Sequence, residues 1–110
     1  MEKVVLCGAS VYEKKFYLNE QFNRLPQSIK DELKIMCVLF TEEVGGIITL
    51  AFDEAGNLEF EVMAKEDDLL FDEISSPLKI KKMREDKKEL LESVELFYRV
   101  LFHGEEGALE

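Results

Sequence analysis

The sequence predicts an α+β fold: an antiparallel sheet of about four strands packed against two main helices, in the order β-β-α-β-β-α with a short extra helix before the last. Three observations carry this. Residues 47–53 and 58–63 alternate apolar and polar residues around a turn, the mark of a hairpin with one wet face. Two longer stretches, opening at Pro26 and Ser76, repeat apolar residues every three to four positions, as helices do. The 110 residues are 46% hydrophobic and include eight Phe and three Tyr, enough apolar surface for one core and one domain.

Val4-Val5-Leu6-Cys7 is a short apolar run ended by Gly8, consistent with a strand. Residues 11–18 carry Tyr12, Phe16 and Tyr17, which favour a strand, and Glu13-Lys14-Lys15, which suits a helix. The expectation is a strand, hairpin-paired with the first through Gly8-Ala9-Ser10. Residues 19–25 read as a loop anchored by Phe22 and Leu25.

Pro26 opens the first helix, where its missing N–H costs nothing, with Ser28 an alternative cap. Ile29, Leu33, Met36, Phe40 and Val44 form one face, but residues 35–40 are apolar all round. Such a helix is expected to be covered on more than one side, by its own domain or by a partner. Gly45-Gly46 ends it. In the hairpin, Ile48, Leu50 and Phe52 and then Leu58, Phe60 and Val62 face inward, joined by Glu54-Ala55-Gly56-Asn57. Residues 66–74 are expected to form the short helix, with Leu69, Leu70, Phe71 and Ile74 inward. The last helix is expected to run unbroken from a Ser76 cap to about Phe102, some 39 Å at 1.5 Å per residue. Its stripe is Ile80, Met83, Lys87, Leu90, Val94, Phe97 and Leu101, widened by Leu91, Tyr98 and Phe102, with His103-Gly104 as its end. The domain is expected to span residues 1–104. Residues 105–110 read as a tail, with Leu109-Glu110 compatible with a vector remnant.

Charge is segregated. The net charge is −10, and residues 42–73 hold eleven acids against Lys65 alone. Six of the fourteen bases lie in residues 79–88: Lys79, Lys81, Lys82, Arg84, Lys87 and Lys88. A phosphate backbone is repelled by most of such a chain, which disfavours nucleic-acid binding. The longest apolar run, residues 35–40, falls far short of the roughly 20 residues of a membrane span. The apolar stretch at residues 4–7 is too short for a signal peptide, so a cytoplasmic protein is the expectation.

Several blocks together look familiar: Cys7-Gly8-Ala9-Ser10 with Tyr12-Glu13-Lys14-Lys15-Phe16-Tyr17-Leu18-Asn19, and Leu25-Pro26 leading into Met36-Cys37-Val38-Leu39-Phe40-Thr41-Glu42 and Val44-Gly45-Gly46. Phe52-Asp53-Glu54-Ala55-Gly56-Asn57-Leu58 and Asp72-Glu73-Ile74 complete the pattern. Over most of its length the chain resembles a family of small uncharacterised bacterial proteins, a domain of unknown function. That resemblance implies a bacterial cytosolic protein and brings no catalytic residues.

Candidate chemistry is sparse. Asp67, Asp68, Asp72 and Glu73 are the type of group that holds Mg²⁺ or Ca²⁺, with Asp68 and Asp72 sharing a helical face, but they fit a solvated acidic surface better. Cys7 and Cys37 sit in apolar runs and read as small buried hydrophobes rather than a redox pair or a nucleophile. Gly8-Ala9-Ser10 lacks the second glycine of a nucleophile elbow, and Gly45-Gly46 ends a helix whereas phosphate loops begin one. The aromatic and basic block at residues 12–17 suits an edge strand better than a single-strand nucleic-acid platform.

No enzyme activity and no cofactor are expected. The favoured reading is a protein-interaction module, homodimeric or binding another protein. Its surfaces are an acidic one (Glu59, Glu61, Asp67, Asp68, Asp72, Glu73) and a basic helix face (Lys79, Lys81, Lys82, Arg84, Lys88) able to dock the acidic stretch of a second subunit. Two alternatives stand beside it. One is a small-ligand or divalent-metal-binding domain with a pocket between sheet and helices. The other is an acidic inhibitor or nucleic-acid mimic that occupies a basic cleft.

Overall fold

The computed structural model describes residues 3–103, so Gly104 and the expected tail 105–110 lie outside the described residues. Four strands, β1 (Val4–Ser10), β2 (Lys15–Leu18), β3 (Ile47–Phe52) and β4 (Leu58–Met63), form one antiparallel sheet in the order β2-β1-β3-β4. Helices α1 (Gln27–Val44), α2 (Ser75–Asp86) and α3 (Lys88–His103) complete an α+β fold. None of them is long and apolar enough to cross a membrane.

Alternation gives the sheet two unlike faces. The rows Leu18–Cys7–Leu50–Phe60 and Phe16–Ala9–Ile48–Val62 pack inward with Leu33, Met36, Phe40 and Val44 of α1 and Leu90, Leu91, Val94 and Tyr98 of α3. The row Tyr17–Gly8–Thr49–Glu61 faces away from the helices. A bulge between Val5 and Cys7 breaks the alternation, so Leu6 and Cys7 are both fully buried although adjacent. Asn19 holds the bulge, its backbone N–H on the Leu6 carbonyl and its side-chain amide on the Val5 carbonyl. At one end of the core the rings of Phe22, Phe52, Tyr98 and Phe102 stack, with Phe52 and Tyr98 4.1 Å apart.

Several expectations need correction. β1 continues through Gly8-Ala9-Ser10, and the reversal falls at residues 11–14, where Lys14 takes a positive φ of 54°. β2 is therefore only four residues long. No helix forms over residues 66–74. Asp68 and Asp72 instead accept backbone N–H bonds from Leu70 and Ser75, local turns that compete with a helical ladder. The caps differ as well: Asp72 serves the start of α2 through Ser75, while Ser76 is buried.

The last helix is bent in two. Lys87, the charged residue in the apolar stripe, leaves helical geometry at φ −111° and ψ 24°. The hydrogen bonds Lys87 N–H to Met83 and Leu91 N–H to Lys87 continue across the bend. Met83 can thus line a groove with Met36, Leu39 and Phe40 of α1, while Leu90, Leu91 and Val94 join the core. α1, expected to be covered on more than one side, leaves Ile35 and Leu39 about half exposed.

Candidate functional site

The acidic residues expected to form one surface fall into two groups. Glu59 and Glu61 stand on the outward row of β4 and clamp the Lys3 ammonium, each at 2.6 Å. Those two carboxylates push the Lys3 pKa well above the ordinary lysine range. Asp67, Asp68, Asp72 and Glu73 belong to the segment between β4 and α2, and two of them are occupied with backbone. Asp68 takes the Tyr12 hydroxyl and the Leu70 N–H, which holds its carboxyl below the usual range and raises the Tyr12 phenol. Asp72 is lowered by the Ser75 N–H. Among the described residues, no group of three or more His, Cys, Asp or Glu is arranged to hold a metal ion.

Tyr12 organises this segment. Its oxygen also accepts the Lys65 N–H at 2.9 Å, and the Lys65 ammonium lies 4.6 Å over its ring. Asp72 N–H bonds the Val44 carbonyl, and Phe71 seats against Gly45 and Gly46. The segment is thereby pinned to the C-terminal end of α1. Pinning consumes Phe71 alone among its apolar side chains. Leu69 is 95%, Leu70 92% and Ile74 80% exposed, followed by Leu78 of α2 at 65%. Leu69, Leu70 and Ile74 were expected inward; with no helix over residues 66–74 to rotate them onto the core, they project into solvent.

The basic helix face is partly neutralised within the molecule. Lys79 pairs with Glu43 of α1, Lys82 with Asp86 at 3.2 Å, and Lys87 with Glu32 at 3.7 Å. Arg84 is committed as well, its guanidinium 4.6 Å over the Phe60 ring and donating to the Leu58 carbonyl. Glu95 accepts the Leu58 N–H, so α2 and α3 cap the start of the β4 edge. Lys81 and Lys88 stay exposed and make no ion pair with another described residue.

Two further features lie between sheet and α1. An open cavity of about 520 Å³ has Ala9, Val11, Phe16 and Val38 as its apolar lining and Lys14, Lys15 and Lys34 among its polar residues. Deeper in, the bulge and α1 bring the Cys7 and Cys37 sulfurs to 4.0 Å. The sequence placed both cysteines in apolar runs, but their juxtaposition depends on a bulge that no local motif announces.

The profile of a family of unknown function (DUF6145) matches residues 3–106, nearly the whole chain. The chain belongs to that family. No curated protein and no solved structure matches it.

Proposed function

We propose that this chain is a self-associating protein-interaction module whose docking surface is the segment from Asp67 to Leu78 with the exposed face of α2. The carrying observation is the exposure of Leu69, Leu70, Ile74 and Leu78 in one short stretch, apolar area that a lone soluble domain seldom presents together. Leu39 of α1 lines the same shallow groove as Lys79 and Lys82, which extends the patch across to α1.

The charge order along α2 selects a second copy as the occupant. Asp72 and Glu73 precede the helix, Lys81 and Lys82 lie in its second half, and Lys88 opens α3. Two such helices laid antiparallel about a two-fold axis near Leu78 bring Glu73 of each copy within one helical turn of Lys81 of the other. Leu78 meets its own counterpart at the centre, as an isologous interface requires.

Light scattering after size exclusion, over a wide range of concentration, tests this. The wild type is expected to pass from monomer to dimer, and the triple variant Leu69→Ser, Leu70→Ser, Ile74→Ser to remain monomeric with an unchanged circular dichroism spectrum. Lys81→Glu and Glu73→Lys each oppose like charges across the axis and weaken the dimer. Mixed together they restore both contacts and form a heterodimer. A wild type that stays monomeric at every concentration, or a mixture that fails to pair, refutes the interface.

The cavity at β1, β2 and α1 favours a second reading, a site for a small organic anion with an apolar body. In a chain of net charge −10, Lys14, Lys15 and Lys34 line it without an ion-pair partner among the described residues. A medium-chain fatty acid is expected to raise the melting temperature of the wild type and not of Lys15→Ala, Lys34→Ala. Equal shifts in both proteins exclude the site.

A further inference from the structure

We propose that Cys7 and Cys37 form an intramolecular oxidation site, a latent disulfide that locks the sheet onto α1. Cys7 enters the core from β1, turned inward by the bulge at Val5–Cys7, and Cys37 enters it from α1. Both side chains are fully buried and both thiols are free. Their sulfurs touch at 4.0 Å, about 2 Å longer than a disulfide bond, so bond formation asks the two side chains to close that gap.

Burial determines when the site reacts. The hydrogen bond shared with Cys37 and, after it, the apolar surroundings push the Cys7 thiol well above the ordinary range, so the reactive thiolate is scarce while β1 and α1 stay closed. Reaction therefore proceeds through local opening of the β1–α1 contact. A small hydroperoxide is the oxidant. The thiolate of one cysteine attacks its terminal oxygen and breaks the O–O bond. The products are a sulfenic acid and, after protonation, water or an alcohol. The second cysteine attacks the sulfenic sulfur, the S–O bond breaks, and water leaves with the second thiol's proton. Two thiols lose two electrons and one hydroperoxide gains them.

The closed loop joins residues thirty apart and contains β2 and the first half of α1. Such a constraint on the unfolded chain raises the melting temperature. Once reclosed, the same burial shields the bond from reductants in solution.

Hydrogen peroxide treatment of the reduced wild type, with and without sub-denaturing urea, tests the proposal by intact mass, thiol count after denaturation, and thermal melting. The expected product is a monomer lighter by two hydrogens, with both thiols lost together, formed faster in urea. It should melt roughly 10 °C higher and return to the reduced value on full reduction in denaturant. Cys37→Ala keeps a single thiol and is expected to gain oxygen or cross-link between chains, never to lose two hydrogens alone. The wild-type experiment needs no variant to fold. Stepwise oxygen addition without hydrogen loss overturns the pairing, as do two thiols still alkylated after prolonged peroxide in urea. A disulfide that leaves the melting temperature unchanged overturns the lock.

Discussion

Phe22 is fully buried, with ring centroids of Phe102 at 5.2 Å, Phe52 at 5.6 Å, Tyr98 at 6.4 Å and Phe97 at 6.5 Å. It comes from a short 3-10 turn, Glu20–Phe22, capped by the Asn19 side chain on the Gln21 N–H. One residue in a connection thus joins the sheet to both ends of α3's aromatic row. Phe22→Ala is expected to cost about 3–5 kcal/mol, cavity included, and Phe22→Leu roughly a third of that, read from urea midpoints at constant slope. This anchor was legible in the sequence, because an isolated Phe and Leu in a polar stretch have no reason to be there except the core. Leu69 and Leu70 were not. Hydrophobicity states what a side chain prefers, and a backbone pinned by Tyr12, Asp68 and Asp72 decided where these two point.

At the scale of elements, α1 ends where two glycines carry positive φ, 92° at Gly45 and 74° at Gly46. Gly46 is the more constrained: a Cβ there would lie 2.6 Å from the Met63 carbonyl oxygen of β4 and 3.0 Å from the Phe71 ring. Gly46→Ala therefore combines left-handed strain with a backbone clash and is expected to cost about 3 kcal/mol. Loss of amide protection in residues 64–74 should accompany it, because Phe71 loses its seat; hydrogen exchange checks both. The helix end and the β3–β4 hairpin were readable, since glycine pairs and period-two alternation are local signals. The bend at Lys87 had a signal too, a lysine inside an apolar stripe, but a stripe alone does not distinguish a charged seam from a change of direction. The helix expected over residues 66–74 failed for another local reason, carboxylates close enough to take the N–H groups the helix needed. The candidate surface was half legible: the acidic and basic stretches are countable, whereas their partial neutralisation by Lys3, Glu43 and Glu32 is a matter of tertiary neighbours.

Over the whole molecule, two electrostatic effects oppose each other as pH falls. Net charge of −10 repels itself in the compact state, so adding protons to it relieves the fold. Asp53, Asp68 and Asp72 act the other way. Asp53 accepts the Asn57 and Ala55 N–H groups in the β3–β4 turn, and all three carboxyls are held below the usual range by hydrogen bonds. A folded pKa below the unfolded value means that the unfolded chain binds more protons. Their stabilisation is complete above about pH 4 and disappears as pH falls through the folded values. At the alkaline end the signs reverse. Tyr12 and Lys3 have raised pKa values, so their contribution is intact below about pH 10 and is lost as pH rises through the folded values. The melting temperature should accordingly rise from neutral pH to a maximum near pH 5, where repulsion has begun to relax and the three turns are still charged, and then fall. None of these groups is buried, so added salt should raise the neutral-pH value and flatten the curve on both sides. Thermal melts between pH 3 and pH 8 check this. The triple variant Asp53→Ala, Asp68→Ala, Asp72→Ala is expected to melt lower at pH 7 and to lose the acid limb. A wild-type curve that falls monotonically from pH 7 would mean that charge repulsion contributes little and that the capped turns alone set the acid response.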